Sequence, residues 1–273
     1  MNPEKLINSV CSIAKTAGSF LRSEIHNISG KNIETKSDHD FVTYVDKASE
    51  KFLIQELTSL FPEAGIIAEE SHQQKDNKRY HWIIDPLDGT TNYIHGMSPY
   101  AVSIALTDNE KEILGVVYEV GLDECFSAHI NGKAFLNNQP IRVSETPVLG
   151  KSFIATGFPS RDYSKLQEYM ELLKAVMFDT NGVRRLGSAA TDIAYVACGR
   201  FDIFYEYHLS AWDVAAGAVL VKQAGGKVSD FSGKDNYLFG KEIITSNSHL
   251  HEEFLYLLTK FFDHGQKDHF SKI

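Results

Sequence analysis

The stretch Trp82–Gly96 constrains the fold more than any other part of this chain, because it joins a buried strand to a tight acidic turn. Its first residues, Trp82–Ile84, form an apolar run that is typical of a short buried strand. The run carries Asp85 to the strand end, where Pro86 forces the chain to turn. Asp88 follows in the same turn, so we expect two carboxylates at one strand end.

A glycine and a polar run come directly after these carboxylates. Gly89 precedes Thr90, Thr91 and Asn92, a group of residues that is able to start a helix. Two carboxylates at a strand end, followed by a glycine and free backbone N–H groups, suit a hard cation that holds a phosphate. The stretch therefore predicts a magnesium-dependent phosphatase site.

The charge of the chain limits its partners. With 273 residues it is long enough for one large domain or two modest subdomains. Its formal net charge of −9 argues against binding to nucleic acid, which needs a basic face, and against binding to an anionic membrane surface. An acidic protein that handles a phosphate ester needs local positive charge, which bound metal ions would supply.

The cysteines and the N-terminus point to an ordinary cytoplasmic protein. Cys11, Cys125 and Cys198 show no C-x-x-C spacing, so neither a disulfide framework nor a zinc site is favoured. No run approaches the roughly 18 apolar residues of a membrane span. Lys15 interrupts the only apolar region that resembles a signal peptide, so we expect a cytoplasmic location.

The first half of the chain reads as helices followed by an antiparallel meander. Apolar spacing predicts a first helix from Leu6 to Ile28 and a second that ends near Leu60, separated by a polar loop at 31–40 and a β-like run at Phe41–Val45. Asn131-Gly132 is a strong hairpin signal. The predicted meander strands are Tyr100–Leu106, Glu112–Tyr118, Cys125–Ile130 and Ala134–Val143.

The second half alternates strand and helix, with a plausible boundary near residue 146. We therefore predict an N-terminal α+β subdomain at 1–146 and a C-terminal α/β subdomain at 147–273. The predicted helices are Asp162–Met177, Gly187–Cys198, Trp212–Ala224 and His249–Phe262. The residues from 263 onward are predicted to form a frayed polar tail. This order fits an α/β architecture with mixed sheets between helical layers.

Three further acidic residues follow a β-like run or open a helix. Asp46 follows the run at Phe41–Val45, Glu69 follows Ile66–Ala68, and Asp213 starts an apolar helix. A carboxylate in the first turn of a helix also interacts favourably with the helix dipole, which explains any one of them without a site. Their occurrence together with D-P-L-D-G-T-T favours a site, since a two-metal centre needs carboxylates from separate segments.

At this point the sequence resembles the inositol monophosphatase family of lithium-sensitive, magnesium-dependent phosphatases. The matching segments are Ala68–Ser71, Trp82–Asn92, Gly187–Ala190, Tyr195–Phe201 and Trp212–Gly217. The resemblance implies an α/β (α+β) fold, a layered αβαβα sandwich with mixed and antiparallel sheets. It also implies a homodimer that hydrolyses small phosphate monoesters with magnesium and is inhibited by lithium.

The resemblance also assigns roles to individual residues. It implies that two to three magnesium ions per site are held by Glu69, Asp85, the carbonyl of Leu87, Asp88 and Asp213. Magnesium prefers such oxygen ligands and retains several waters, one of which can become the nucleophile.

Water activation and phosphate binding are implied in the same way. Glu69, together with the Thr90 hydroxyl held by Asp46, resembles the group that orients and deprotonates the attacking water. The N–H groups of Gly89, Thr90 and Thr91 would hold the phosphate at a helix N-terminus, next to the metal-site carboxylates Asp88 and Asp213.

The substrate contacts are carried over to three residues. Glu206 stands where the family binds a sugar hydroxyl, and Ala189 where it offers a backbone contact. Arg184 precedes the Gly187 helix and either reaches the substrate or phosphate or lies on the surface or at a dimer interface. Inositol 1-phosphate is the expected substrate.

Other chemistries are considered for the same stretch. Phosphatases of the haloacid dehalogenase type need a nucleophilic Asp where this chain has Pro86, so a covalent phosphoenzyme is disfavoured. A calcium EF-hand that starts at Asp85 needs a Glu where the chain has Gly96.

Two kinds of alternative stay open at this point. Within the family, these are phosphatases of fructose 1,6-bisphosphate, of 3′,5′-bisphosphonucleotides or NADP, and of histidinol phosphate. Outside enzyme function, a regulator that kept a phosphatase fold would be expected to lack at least one ligand or the water-activating group.

Overall fold

The computed structural model describes residues 2–27, 33–37, 40–71, 76–159 and 162–262. A surface loop is expected at 71–79, and its residues 72–75 lie outside the described residues. The predicted polar tail at 263–273 lies outside them entirely.

A small hairpin and a large sheet account for the strands of the first half. The hairpin pairs β1 (Ile33–Ser37) with β2 (Asp40–Thr43). The seven strands of the large sheet are β3 (Gly65–Ala68), β4 (Tyr80–Asp88), β5 (Ala101–Asp108), β6 (Lys111–Glu119), β7 (Glu124–His129), β8 (Phe135–Leu136) and β9 (Gln139–Pro140). They lie side by side in chain order, with β3 and β4 parallel and the other neighbours antiparallel.

A five-stranded mixed sheet is built from the second half. Its strands are β10 (Phe153–Thr156), β11 (Gly182–Arg184), β12 (Ile203–Tyr207), β13 (Lys227–Ser229) and β14 (Glu242–Ser246). They lie in the order β11-β10-β12-β14-β13, and β10 pairs in parallel with both of its neighbours. β14 is antiparallel to β12 and β13.

Seven helices among the described residues complete three helical layers around these two sheets. They are α1 (Ile7–Glu24), α2 (Tyr44–Leu60), α3 (Thr90–Ile94), α4 (Leu166–Asp179), α5 (Ala189–Ala197), α6 (Ala211–Gln223) and α7 (His251–Thr259). α1 and α2 pack on one face of the large sheet, α5 and α6 lie between the two sheets, and α4 and α7 contact the five-stranded sheet. This arrangement confirms the predicted αβαβα layering.

The alternation of side chains along β4 decides where the site faces. Trp82 and Ile84 belong to the core shared with α1 and α2, whereas Ile83 belongs to the core shared with α5 and α6. Because successive strand residues point to opposite faces, Asp85 follows Ile83 toward the helices of the second half.

Three local expectations are corrected by the structure. The predicted run Phe41–Val45 ends early, since α2 begins at Tyr44, where Thr43 caps the helix. Residues 33–37 of the loop expected at 31–40 form the strand β1, which pairs with β2. The single strand expected at Ala134–Val143 is the short pair β8 and β9, joined through two asparagines with positive φ, as type I′ hairpin turns require.

The hairpin predicted at Asn131-Gly132 is confirmed, since β7 and β8 pair in antiparallel fashion across it.

Within the described part of the chain, none of the helices combines the length and apolar character that a bilayer span requires. The division at residues 146 and 147 stays a prediction, and α5 and α6 pack across it onto the large sheet.

Candidate metal and phosphate site

A β-bulge places the two carboxylates of the central motif on one face of the sheet. Asp85 pairs with Ser103 and Asp88 pairs with Ala101 on β5, so two residues of β4, Pro86 and Leu87, stand opposite one residue of its partner. Without the extra residue, Asp85 and Asp88 would point to opposite faces. Pro86 lies within this irregular segment, one of the few sheet positions that tolerate a proline.

Asp85 is fixed within the turn that it begins. Its side chain is 1% exposed, and its Oδ1 accepts a hydrogen bond from the backbone N–H of Leu87 at 2.9 Å. The pKa of Asp85 is raised well above its ordinary value by burial, and further by the charges of Glu69, Asp88 and Asp213.

Asp213 reaches the same place from the first turn of α6. It forms a capping box with Ser210, whose backbone N–H donates to Asp213 Oδ2 at 2.6 Å. Ser103, the cross-strand partner of Asp85, donates its hydroxyl to the carbonyl of Trp212 at 3.0 Å and so ties this turn to β5. The carboxylate is therefore a helix cap and a member of the site at once.

Asp88 connects the turn to the N-terminus of α5. Its Oδ2 accepts hydrogen bonds from Ser188 Oγ at 2.6 Å and from the backbone N–H of Ala190 at 2.8 Å. Burial raises the pKa of Asp88, although these donors and the charge of Arg185 oppose the shift. The first residues of α5 thus orient an acid that belongs to the other sheet.

Asp85, Asp88 and Asp213 form one cluster. Each offers a carboxylate oxygen within 4.8 Å of the others. Glu69 lies at the end of β3, where its backbone N–H bonds Ile84 O at 3.3 Å, and its charge raises the pKa of both Asp85 and Asp213. Glu69 is therefore next to the cluster, although its carboxylate is outside the group of three.

Asp46 and Thr90 form a second, adjoining arrangement. Asp46 Oδ2 accepts from the backbone N–H of Thr43 at 2.9 Å and from its hydroxyl at 2.6 Å. Its other oxygen, Oδ1, lies 3.2 Å from Thr90 Oγ1, which is also 3.0 Å from the carbonyl of Leu87. The Thr90 hydroxyl thus lies within hydrogen-bond distance of Asp46, as the resemblance implied, and also of the Leu87 carbonyl.

The segment after Asp88 forms the five-residue helix α3. Gly89 stands at its N-cap with a φ of 89°, a left-handed conformation that favours glycine. Thr90 and Thr91 are its first two residues, so their backbone N–H groups precede the first intrahelical hydrogen bonds. Asn92 Nδ2 donates to the carbonyls of Pro99 and Leu186, both at 2.8 Å, and fixes α3 against the segment before α5.

A small polar cavity of about 110 Å³ opens beside the cluster. Its lining includes Asp88 and Asp213 at the cluster, together with Ala189 and Glu206. Burial raises the pKa of Glu206 to about 8, while the charge of Arg185 opposes the shift. The predicted substrate contacts Ala189 and Glu206 are therefore brought together with the carboxylates.

Arg184 is placed elsewhere. It ends the edge strand β11, where its guanidinium lies 4.8 Å above the ring of Phe153 and donates to the carbonyl of Val183. The next residue, Arg185, lines the cavity instead. Neighbouring residues of an extended segment point to opposite sides, so the sequence alone does not tell which arginine faces the site.

The cavity also contains an acid that the sequence interpretation passed over. Asp192 lies in α5, is 1% exposed and lines the cavity with Glu206. In the sequence, Asp192 could have been noticed as a single charged residue inside the otherwise apolar run of Ala189–Ala197.

The donor set fits a hard divalent cation. The ligands on offer are carboxylate oxygens and the carbonyl of Leu87, the type of donor that magnesium prefers. Burial raises the pKa of Asp85 and of Asp213, and the neighbouring negative charges raise it further. A bound cation would relieve this repulsion.

Known proteins resemble this chain over most of its length. The sequence profile of the inositol monophosphatase family matches residues 2–261. A putative Nus factor SuhB of Neisseria meningitidis serogroup B is 40% identical over 248 residues, which cover 90% of this chain and 94% of that protein. An inositol-1-monophosphatase of Mesorhizobium japonicum is 37% identical over 243 residues, covering 89% of this chain and 91% of the relative.

Solved structures show the same architecture. The crystal structure of extragenic suppressor protein suhB from Bartonella henselae superposes with a TM-score of 0.87 at 37% sequence identity. The match covers 93% of this chain and 98% of that one.

We predict that magnesium stabilises the fold through this cluster. With magnesium at about 100 times its dissociation constant, the unfolding free energy should rise by about 2.7 kcal/mol, which corresponds to roughly 5–10 °C in Tm for a chain of this size. Thermal unfolding with magnesium and with a chelator measures the shift. Asp85→Asn should abolish most of it, whereas Asp235→Asn, at an exposed loop position, should leave it intact.

The stability of the metal-free protein and the magnesium-induced shift in Tm should both depend on pH. Because the folded carboxyls have raised pKa values, the metal-free protein binds more protons folded than unfolded. Its stability should therefore decrease as the pH rises above about 4, the usual aspartate range, and the magnesium-induced shift should grow from pH 5 to pH 7. A shift that was independent of pH, or equal in Asp85→Asn and the wild type, would refute a metal site at the cluster.

Proposed function

The chain belongs to the inositol monophosphatase family of metal-dependent phosphatases, and on that basis we propose that it hydrolyses an inositol monophosphate of the myo-inositol 1-phosphate type to inositol and phosphate. One observation carries the proposal. The carboxylates Asp85, Asp88 and Asp213 converge beside a small polar cavity that Glu206 also lines. Metal and phosphate would occupy the end at the cluster, and the hydroxylated ring the end at Glu206.

The cluster residues would hold magnesium. We assign Asp85, Asp88 and Asp213, with Glu69 and the Leu87 carbonyl, as its protein ligands. When bound, magnesium supplies Lewis-acid stabilisation of the phosphoryl oxygens and lowers the pKa of a coordinated water. One oxygen of each aspartate is already fixed by a protein donor, so the other is presented without rotation of the side chain.

Thr90, Asp46 and Glu69 would orient the attacking water. Asp46 Oδ2 is occupied by Thr43, which leaves Oδ1 to accept the proton of the Thr90 hydroxyl. With its proton engaged, Thr90 Oγ1 can accept a hydrogen bond from water and fix its orientation. Glu69 would accept the proton that the water loses as it attacks phosphorus, while the bond between phosphorus and the ester oxygen breaks and the departing inositol oxygen takes up a proton from water.

The turn after Asp88 would hold the phosphate. The N–H groups of Gly89, Thr90 and Thr91 stand at the start of α3, where backbone donors are not yet used by the helix. Asp88 and Asp213 border the same end of the cavity. The donors and the metal would thus act on the transferred group from two sides.

The far end of the cavity would hold the alcohol part of the substrate. Glu206 and Ala189 both line the cavity, where Glu206 would bind ring hydroxyls and Ala189 would offer a backbone contact. Arg185 lines the cavity and is the arginine that we assign to this end in place of Arg184. A carboxylate that binds hydroxyls favours a polyol over an alcohol without them.

A regulatory function is the second candidate, because a relative at 40% identity is named a putative Nus factor. A regulator that had lost catalysis would be expected to lack a ligand or the water-activating group. This chain keeps Asp85, Asp88, Asp213, Glu69 and Thr90. The retained residues favour an enzyme, with any regulatory partner as an additional property.

The enzymatic proposal is tested on a substrate panel. We expect release of phosphate from inositol 1-phosphate that requires magnesium and is inhibited by millimolar lithium. The comparison substrates are fructose 1,6-bisphosphate, adenosine 3′,5′-bisphosphate, NADP and histidinol phosphate. Preference for one of these would move the protein to another branch of the family. No turnover of any of these substrates at any magnesium level would refute the proposal that the protein is an enzyme.

A substitution tests the metal-site acid most closely tied to α5. Asp88→Asn keeps an oxygen for Ser188 and Ala190 but removes a charge from the cluster. We expect kcat to fall by at least about 100-fold, the scale of losing one transition-state electrostatic contact, with Tm nearly unchanged. Asp235→Asn serves as the matched control. Near-normal kcat in Asp88→Asn would remove Asp88 from the metal site.

We also propose that the protein is a homodimer. An apolar surface lies exposed on α4 and on nearby segments, and contiguous patches of this kind mark interaction sites. Its exposed side chains are Phe158, Tyr163, Leu166, Met170, Met177 and Phe178. Phe178 is 80% exposed and Met177 is 65% exposed. Burying these two side chains in an interface would give hydrophobic stabilisation that the monomer lacks.

The homodimer has its own test. Analytical ultracentrifugation should show a dimer for the wild type and a monomer for the double variant Met177→Glu/Phe178→Glu, since burying two charges in an apolar interface is unfavourable. Leu122→Glu, at an exposed turn, should remain dimeric. A monomeric wild type at micromolar concentration, or a double variant that stays dimeric, would contradict the proposal.

A further inference from the structure

Asp192 is a buried acid that the proposed mechanism leaves without a task. It lies in the first turn of α5 and is 1% exposed. Asp88 and Asp213 line the same small cavity, but among the described residues Asp192 is not a member of the cluster that they form with Asp85. The remaining residues of α5 are apolar or small apart from Thr191.

The carboxyl of Asp192 lacks a full set of protein partners. Within the described residues, its Oδ1 is covered and has no hydrogen-bond partner. An unsatisfied buried oxygen costs stability, so in a folded protein it calls for a reason. Thr191, its neighbour in the helix, differs in this respect because its hydroxyl is bonded to Ser188 at 2.7 Å.

The surroundings of Asp192 come from three other segments. Glu206 faces it from β12 and Asp88 from β4, and both negative charges raise its pKa, after the larger effect of burial. Arg185, which lines the same cavity, is the cation that opposes them. The helix dipole favours a carboxylate in the first turn of α5, but it does not give Asp192 Oδ1 the hydrogen-bond partner that this oxygen lacks among the described residues.

We propose that Asp192 binds a hydroxyl group of the substrate ring beside Glu206, and that it thereby sets a preference for hydroxylated cyclic phosphates. This inference rests on the proposed function and names a specificity-determining residue for it. The two carboxyls enter the cavity from a helix and from a strand, so together they contact separate hydroxyls. Arg185 offsets part of the negative charge that such a pair brings.

Ligand hydroxyls would supply what the protein does not. A site built to hydrogen-bond a hydroxyl discriminates strongly against an analogue without it, because the buried polar group is then left unpaired. Asp192 should therefore affect the binding of polyol phosphates and have little effect on phosphates whose alcohol part carries no further hydroxyl. The proposed chemistry at phosphorus does not involve it.

The experiment compares two substrates on three proteins. The substrates are inositol 1-phosphate and cyclohexyl phosphate, which has the same ring size without ring hydroxyls. The proteins are the wild type, Asp192→Leu and Asp192→Asn. We expect Asp192→Leu to raise KM for inositol 1-phosphate by about 10- to 100-fold, with KM for cyclohexyl phosphate unchanged. Asp192→Asn keeps a hydrogen-bonding oxygen and should restore most of the selectivity.

Thermal unfolding provides a readout apart from activity. If Asp192 serves the ligand, replacing an unsatisfied buried carboxyl by a similar-sized apolar side chain should leave Tm unchanged or raise it. Thr245→Val is the matched control, because Thr245 Oγ1 is also buried without a partner among the described residues but lies on β14, outside the cavity lining. It should change neither KM.

The outcomes separate the inference from the proposed function. An equal rise in KM for both substrates, no rise for either, or a marked fall in Tm with Asp192→Leu would overturn the role of Asp192. Those results leave hydrolysis of inositol 1-phosphate by the wild type intact. A wild type that hydrolyses cyclohexyl phosphate but not inositol 1-phosphate would refute the proposed substrate, and the role of Asp192 with it.

Discussion

Electrostatic repulsion among closely spaced carboxylates is the constraint on which the rest of this structure depends. Asp85, Asp88 and Asp213 offer oxygens within 4.8 Å of one another in a desolvated place. Each is fixed by donors from the protein: the N–H of Leu87 for Asp85, the start of α5 for Asp88, and the cap of α6 for Asp213. These bonds hold the acids in position against their repulsion, so a cation finds ligands that are already oriented.

The layered fold supplies those donors. α5 and α6 lie between the two sheets, and the first turn of each points its N–H groups or cap at an acid of the site. A helix N-terminus stabilises negative charge through its unpaired donors and its dipole. α5 and α6 therefore pack against the large sheet and also stabilise its acids. Asp213 shows this best, because one of its oxygens caps α6 while the side chain belongs to the cluster.

Some helices and strands could be predicted from the sequence and others could not, for physical reasons. The long periodic segments and the meander were predicted because their burial leaves a regular pattern, as Asn131-Gly132 did for its hairpin. The start of α2 was placed wrongly, since Tyr44 and Val45 are good strand residues by propensity but follow the capping Thr43. The edge strand β11 was missed because its three residues pair on one side only and carry no pattern of burial.

The sequence by itself determined which residue types stand in the central motif and in what order. The residue types and spacing of Asp85-Pro86-Leu87-Asp88-Gly89 predict an oxygen-donor cation site next to backbone donors, and Pro86 disfavours a covalent phosphoenzyme. Only the tertiary structure decided which distant side chains share its cavity. Arg185 and Asp192 line the cavity, whereas Arg184 lies over the ring of Phe153. The direction in which a side chain points depends on how its extended segment or helix packs, and the position of one charged residue in the sequence does not specify that packing.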